Sequence, residues 1–252
     1  MTAFYDTFAE HYHLIFEDWE ASMMRQAAAI DSVLRRERPI RSGMTILDCA
    51  CGIGTQSLGL AKLGFRVTGC DVSAGAVQRA RSEAAMRRLT IPFYVADMRD
   101  LGNVTAGDFD AVICMDNALA HLPSEADLMK AANQIRAKLR TGGTFIASIR
   151  DYDDLVRERP VVQGPAFFSD SGKRRIAFQL WDWHDERRYT FHMYITRETL
   201  DGWTTFHGRG EYRAALRDEI TSILAAGGFT NVRWQFPAES GFYQPIFVAT
   251  AP

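Results

Sequence analysis

One acidic residue and two glycines in the segment TILDCACGIGT, residues 45–55, have the spacing of a ligand-binding turn. A short apolar run, predicted as a buried strand over 45–49, contains Asp48 and is followed by Gly52 and Gly54. Glycines allow a backbone to turn tightly and to approach a ligand. A strand, a glycine turn and a helix N-terminus together form a nucleotide-binding crevice. The same turn also occurs where a helix merely packs against a strand, so the motif alone leaves both interpretations open.

Two features narrow the ligand class. The dinucleotide pattern Gly-x-Gly-x-x-Gly requires a third glycine, and Ser57 stands at that position. Asp48 precedes the turn as Asp-x-x-x-Gly-x-Gly, which resembles the variant of nucleoside-binding methyltransferases more than a pyrophosphate cradle. The motif therefore favours S-adenosylmethionine over NAD.

A second acidic residue ends the next predicted strand. Residues 64–71 (GFRVTGCD) end in Asp71, and Ser73 is a plausible N-cap for the helix that follows. An acid at this place binds ribose hydroxyls in such folds, whereas the alternative is a carboxylate favoured by the helix dipole. Its coincidence with the glycine turn favours ribose binding.

Polar residues recur after three more predicted strands, at 91–95, 109–115 and 144–149. Because the ligands of open α/β sheets bind at the carboxyl edge of the strands, these residues are candidate site residues. They are Asp97, Asp116, Asn117, His121 and Arg150.

Length and composition limit the protein class. The 252 residues are enough for one α/β domain with an elaboration, or for one domain and a small second one, and 47% hydrophobic content allows a full core. A net charge of −2 gives no basic footprint for nucleic acid. No long apolar run predicts a membrane span and the first ten residues do not resemble a signal peptide, so we expect a cytoplasmic protein. The four cysteines fit no zinc spacing and are expected to be buried and reduced, and no metal cluster is predicted.

The remaining segments predict elaborations around this core. Residues 1–40 are predicted to be helical and dense in aromatics, either as one face packed on the core or as a lid over a flat ligand, with Tyr12 and Arg25 as polar tips. Residues 41–155 form the cofactor-binding core. Residues 156–213 contain strand-like runs at 174–183, 188–197 and 203–209 and predict an antiparallel insertion, whose aromatics serve as its core, a substrate wall or a dimer surface. Residues 214–252 return to the core as a helix and the last strands, the final one antiparallel.

On these residues the chain resembles the class I S-adenosylmethionine-dependent methyltransferases, and within them the glycine/sarcosine N-methyltransferases and bacterial small-molecule relatives. The matching stretches are ILDCACGIGT (46–55), FDAVICMDNALAHLP (109–123), Arg150-Asp151-Tyr152 and Tyr243-Gln244-Pro245. The resemblance implies an α/β fold: a Rossmann-like seven-stranded sheet with a small antiparallel β insertion and an N-terminal helical lid.

The resemblance also assigns roles by position. Ala50, Gly52 and Gly54 would approach S-adenosylmethionine, Asp71 would bind its ribose, and Asp97 with Met98 its adenine. Met115 and His121 would flank it, with Tyr12 and Arg25 closing from the N-terminus. Asn117, Arg150 and Tyr243 would face the acceptor.

The implied reaction is an in-line methyl transfer to a neutral nitrogen of a small polar metabolite, in which the protein supplies mainly orientation. Asp116 replaces the small residue that precedes the asparagine in the glycine-methylating relatives, so a carboxylate would repel a carboxylate acceptor. This favours a nitrogen heterocycle of the toxoflavin (azapteridine) type, with glycine or sarcosine as the alternative. A non-catalytic nucleotide-binding module and a nicotinamide oxidoreductase are the rival classes. A monomer or a homodimer is expected.

Overall fold

The computed structural model describes residues 2–37 and 43–252. The predicted boundary between residues 40 and 41 lies outside the described residues.

A seven-stranded sheet forms the centre of the described chain, in the order β10-β11-β5-β4-β1-β2-β3. Its strands are β1 (Thr45–Asp48), β2 (Arg66–Asp71), β3 (Phe93–Val95), β4 (Phe109–Cys114), β5 (Leu139–Ser148), β10 (Thr230–Gln235) and β11 (Ile246–Thr250). Strands β3, β2, β1, β4 and β5 are parallel, and β11 lies antiparallel between β5 and β10. The predicted sheet and its antiparallel last strand are confirmed. Strands β2 and β3 lie on one side of β1, and β4 and β5 lie on the other, so the strand order reverses between β1 and β4. Open α/β sheets bind ligands at such a topological switch point.

Helices cover both faces of this sheet. They are α2 (Trp19–Glu37), α3 (Thr55–Lys62), α4 (Ala74–Met86), α5 (Glu125–Lys138) and α7 (Arg217–Ala226), with shorter helices α1 (Thr2–Phe8), α6 (Tyr152–Glu158) and α8 (Pro237–Ser240). The predicted cap of α4 is confirmed, because the Ser73 hydroxyl accepts the Ala76 N–H at 3.1 Å. Strands β1 and β4 read as nearly unbroken apolar runs because helices bury them on both sides.

The N-terminal segment divides into two parts with different roles. Helix α1 and the short 3₁₀ helix Tyr12–Ile15 lie against the antiparallel sheet of the insertion (residues 162–213), with the Phe4 ring centroid 5.4 Å from that of Phe191. Helix α2 instead packs on α3 so closely that a Cβ on Gly59 would lie 2.7 Å from the Cβ of Ala27. The apolar stripe of α2 is buried in the core, which agrees with the alternative of a face packed on the core, while the lid over 1–40 stays a prediction.

The insertion is a four-stranded antiparallel sheet in the order β6-β7-β8-β9. Its strands are β6 (Val162–Asp170), β7 (Lys173–Trp183), β8 (Arg188–Thr199) and β9 (Gly202–Arg213). Three of them were predicted, and β6 was missed because this edge strand is mostly exposed and contains Pro165. Trp181, Tyr189 and Phe191 are at most 3% exposed, so these three aromatics belong to the core.

Two sequence expectations concern the whole chain. Within residues 2–37 and 43–252, no helix has the length and apolarity needed to cross a bilayer. Cys49, Cys51, Cys70 and Cys114 are free and buried, as predicted.

Candidate active site

The turn after β1 brings backbone to the carboxyl edge of the sheet. Gly52 and Gly54 have φ values of +51° and +96°, in the region that glycine adopts most readily. A Cβ built on Gly52 would meet no atom within 4 Å, because this residue faces open space. A Cβ on Gly54 would lie 3.2 Å from the Leu58 side chain and 3.5 Å from Ala80. Gly52 therefore borders a cavity, whereas Gly54 permits close packing of α3 and α4.

The first cavity, of about 420 Å³, lies over the ends of β1, β2, β3 and β4. It is lined by eight of the ten residues predicted to contact the cofactor. These are Tyr12, Ala50, Gly52, Asp71, Asp97, Met98, Met115 and His121. Gly54 is absent from its wall among the described residues, and Arg25 lines the neighbouring second cavity instead.

Asp71 presents a fixed carboxylate to the first cavity. Its Oδ2 accepts the Gly52 N–H at 2.9 Å and its Oδ1 accepts the Ser73 N–H at 2.9 Å. Burial raises the pKa of this carboxyl, and the backbone N–H groups of Ser73 and Gly52 oppose that rise. No ion pair with Asp71 forms within the described part of the chain, so the carboxylate is free to accept hydroxyl groups from a ligand.

Asp97 and Met98 form the wall beyond β3. The Asp97 carboxylate is held by Arg99, whose Nε lies 3.0 Å from Oδ1 and whose Nη2 lies 2.6 Å from Oδ2. The hydrogen bonds from Arg99 lower the pKa of Asp97 against the effect of burial. Asp97 is thus ionised and oriented, and Met98 adds an apolar surface beside it.

The roof of the first cavity is a hydrogen-bonded pair of side chains. The Tyr5 hydroxyl lies 2.6 Å from His121 Nε2, and His121 Nδ1 lies 3.1 Å from the Glu211 carbonyl oxygen. A carbonyl only accepts, so Nδ1 carries the proton and Nε2 accepts from Tyr5. Burial lowers the pKa of His121 to about 4, which keeps the imidazole neutral. Tyr5 was missed by sequence reasoning, which singled out Tyr12 from the same aromatic run.

A second cavity of about 1080 Å³ lies between the main sheet and the insertion. Arg25, Asn117, Arg150 and Tyr243 all line it, so the predicted acceptor residues are brought together. Tyr5, Tyr12 and Asp116 line both cavities, which therefore meet at these three side chains.

Arg150 is a cation held by neutral groups in the second cavity. Its Nη1 donates to the Tyr189 hydroxyl at 3.0 Å and its Nη2 donates to Gln179 Oε1 at 3.1 Å. Its guanidinium carbon also lies 4.7 Å from the Trp181 ring centroid and 5.2 Å from that of Tyr212. Within residues 2–37 and 43–252 no carboxylate pairs with Arg150, so the site can offer this charge to a ligand. Gln179 and Tyr189 were missed because they lie in the insertion, far from Arg150 in sequence.

Asn117 and Tyr243 have protein partners that the sequence did not predict. Asn117 accepts the Arg150 backbone N–H at 3.1 Å and donates to the Tyr152 hydroxyl at 3.0 Å. These bonds use one acceptor and one donor of a side chain that is only 2% exposed, so its observed contacts fix the loop after β5. The Tyr243 hydroxyl donates to Asp116 Oδ1 at 2.6 Å.

Comparison with known proteins agrees with this geometry. Residues 46–143 match the family described as a methyltransferase domain. A glycine/sarcosine N-methyltransferase from Parasynechococcus marenigrum is 37% identical over 55% of this chain and 48% of its own length. A glycine N-methyltransferase from Oryctolagus cuniculus is 33% identical over 44% of this chain and 42% of its own length. The chain thus spans about half the length of these curated relatives.

Solved structures extend the likeness over the whole fold. An S-adenosylmethionine-bound amino pentose methyltransferase from Micromonospora echinaspora covers 92% of both chains with a TM-score of 0.73 and 23% identity. A sugar N-methyltransferase from Streptoalloteichus sp. covers 90% of this chain and 87% of its own, with a TM-score of 0.69 and 20% identity. At these identities the likeness concerns the fold. The match to the methyltransferase domain covers residues 46–143, and the solved structures share the fold of the described chain.

Proposed function

We propose that the protein is an S-adenosylmethionine-dependent N-methyltransferase that acts on a small polar metabolite. This proposal rests on a pair of cavities that meet at Tyr5, Tyr12 and Asp116. One has nucleoside-binding features, and the other is lined by Arg150, which pairs with no carboxylate among the described residues.

The residues of the first cavity fit S-adenosylmethionine. Asp71 can accept the two ribose hydroxyls, and the open space beside Gly52 leaves room for a ligand against the backbone. Val72 and Met98 supply apolar surface for the adenine, and a volume of about 420 Å³ lies in the range of pockets for ligands of this size. When bound, S-adenosylmethionine would supply a methyl group on a positively charged sulfur, ready for displacement by a nitrogen lone pair.

The protein's contribution is orientation and exclusion of water. Tyr5 and Tyr12 close the first cavity on the side of α1, and Arg150 fixes one end of the acceptor. Proximity and orientation supply about 7–11 kcal/mol in such reactions, so no protein nucleophile is needed.

Two features favour a ring-sized acceptor over glycine. The second cavity, at about 1080 Å³, is of the size that holds drug-sized ligands, and it is lined by aromatic side chains on which a ring can stack. Asp116 in its wall repels a carboxylate, whereas Arg150, also in its wall, attracts a carbonyl or an anionic substituent. We therefore favour a nitrogen heterocycle of the azapteridine type, or an amino sugar, over glycine and sarcosine as the methyl acceptor. The names of the curated relatives support the amino acid alternative.

A mass-shift screen tests this proposal. The protein is incubated with S-adenosylmethionine bearing a deuterated methyl group and with glycine, sarcosine, an amino sugar and an N–H pteridine. We expect one of the ring-containing amines to gain the labelled methyl group. Cofactor binding with no labelled product from a wider amine panel would favour a non-catalytic nucleotide-binding module, and binding of NAD instead would favour an oxidoreductase.

A further inference from the structure

Asp116 lies in a strained turn at the junction of the two cavities. It and Asn117 follow β4 with φ values of +56° and +67°. Left-handed backbone costs a non-glycine residue roughly 1–2 kcal/mol, and such strain concentrates at functional sites. Ser148 holds the turn, since its hydroxyl accepts the Asp116 N–H at 2.7 Å and its carbonyl accepts the Asn117 N–H at 3.2 Å. The turn thereby fixes the Asp116 carboxylate in the wall of both cavities.

The partners of this carboxylate are all neutral donors. Oδ1 accepts the Tyr243 hydroxyl at 2.6 Å, and Oδ2 accepts Gln56 Nε2 at 2.8 Å and the Tyr12 hydroxyl at 3.3 Å. No lysine, arginine or histidine pairs with Asp116 within the described ranges 2–37 and 43–252. A carboxylate enclosed without a cation is costly, so a structural role alone would be served better by an uncharged side chain.

The charged and titratable groups around Asp116 come from several elements. Tyr12 and Tyr243 contact it directly, Asp48 and Asp71 lie across the glycine turn, and Arg150 lies in the second cavity. Burial raises the pKa of Asp116, while hydrogen bonds from Tyr243, Gln56 and Tyr12 oppose the rise. A base works best when its pKa approaches the working pH, and the enclosure moves Asp116 in that direction.

We propose that Asp116 is the general base for the acceptor, which binds as a nitrogen that still carries the proton to be removed. This inference rests on the proposed function and deepens it, because it assigns the acceptor to the protonated amines and ring N–H compounds. Both share one chemistry at this position, an N–H bond directed at a carboxylate.

The proton transfer balances within the site. The acceptor N–H bond breaks, its electron pair stays on nitrogen, and the proton joins an Asp116 oxygen to give a neutral carboxyl group. That electron pair is then free to form the new N–C bond. The Tyr243 hydroxyl donates a hydrogen bond to Asp116 Oδ1, and Tyr243 is 57% exposed. Tyr243 can therefore relay the proton from Asp116 to water, by accepting it while releasing its own.

The test compares Asp116→Asn and Asp116→Gly with the wild type, using the acceptor found in the four-compound screen. Glycine suits the positive φ at this position, so Asp116→Gly removes the carboxylate while relieving the backbone. Asp182→Asn, on an exposed part of the insertion outside both cavities, is the matched control. Readouts are kcat/KM from pH 6 to pH 10 (roughly the range over which amines titrate), S-adenosylhomocysteine affinity by calorimetry, and the melting temperature.

We expect Asp116→Asn to lower kcat/KM at neutral pH by about 10²–10⁴-fold, the usual contribution of a general base. The loss of kcat/KM should shrink above the pKa of the acceptor nitrogen, where the proton is already gone. The affinity for S-adenosylhomocysteine should change less than threefold (about 0.7 kcal/mol). Added formate should restore part of the activity of Asp116→Gly. A pH-independent loss that tracks lowered cofactor affinity, or an Asp116→Gly activity within tenfold of the wild type without formate, would overturn the inference while leaving the methyltransferase proposal intact. A wild type that methylates none of the four compounds overturns the proposed acceptor class, and this inference with it.

Discussion

Replacing Arg150 by alanine separates acceptor binding from folding. The substitution removes hydrogen bonds to Tyr189 and Gln179 and the stacking on Trp181. Two hydrogen bonds at about 1 kcal/mol each and a cation–π contact at about 0.5–2 kcal/mol suggest a loss of roughly 2–4 kcal/mol in stability. For a chain of this length that lowers the melting temperature by roughly 5–15 °C, which leaves a folded protein to assay.

The kinetic effect follows from the charge that Arg150 offers to a ligand. If the guanidinium holds an acceptor carbonyl or anion, Arg150→Ala should lower kcat/KM by about one to two powers of ten, or about 1.4–2.8 kcal/mol. Cofactor affinity should barely change, because Arg150 lines only the second cavity. Arg150→Lys should recover part of the loss, since an ammonium does not reproduce the planar fork.

The assay is steady-state kinetics at saturating S-adenosylmethionine, with a melting curve for each variant. Arg159→Ala is the matched control, because the Arg159 guanidinium also lies over a tryptophan, 5.5 Å from the Trp183 centroid, but outside both cavities. The acidic residues that follow Arg150 have other partners, because Asp151 and Asp153 pair with Arg217 at 2.5 and 3.5 Å and Asp154 pairs with Arg157. Normal acceptor kinetics in folded Arg150→Ala would refute the acceptor role and leave Arg150 as a scaffold for the insertion.

Three further predictions follow from the described contacts. Both glycines have positive φ, so alanine strains either site; Gly54→Ala should lower the melting temperature more, because its φ is +96° and its new Cβ lies 3.2 Å from a leucine. Gly52→Ala should instead weaken S-adenosylhomocysteine binding more, by reaching into the cavity, and equal effects of the two variants on both quantities would contradict this division. Deletion of residues 1–17 should leave a cooperative melting transition yet weaken S-adenosylhomocysteine binding more than tenfold (about 1.4 kcal/mol), and loss of the transition would show that α1 belongs to the core. Burial raises the pKa of Asp48 to about 7 from an unfolded value of about 4, so its contribution to stability is greatest at low pH and is lost as pH rises from about 4 to about 7. Urea unfolding across this range should therefore show a smaller decline for Asp48→Asn than for the wild type, and identical slopes would refute the shifted pKa.

The sequence predicted the central sheet and most of its first cavity because those signals are local. Each strand of the core is a short apolar run, and the residue after its end must lie at the carboxyl edge of a parallel sheet. Asp71 and Asp97 line the cavity for this reason, and Ser73 caps α4 by a contact within four residues.

Other features depend on contacts that are distant in sequence. The partners of Arg150 come from β7 and β8, and the burial of α2 depends on Gly59 in α3, so periodicity alone did not distinguish a lid from a core helix. Asn117 was predicted to face the acceptor. The hydrogen bonds of its side-chain amide to Arg150 and Tyr152 could not be predicted, because they form only when the loops after β4 and β5 lie side by side.

The central claim is that the first cavity binds S-adenosylmethionine through Asp71, and one calorimetric experiment tests it most directly. Wild-type protein and Asp71→Ala are titrated with S-adenosylhomocysteine, with NAD as the comparison ligand and a melting curve to establish folding. We expect saturable binding of S-adenosylhomocysteine, no binding of NAD, and a loss of about 1.5–3 kcal/mol of binding free energy in Asp71→Ala, the range for hydrogen bonds to a charged group. An unchanged dissociation constant in folded Asp71→Ala, or binding of NAD in place of S-adenosylhomocysteine, would contradict it.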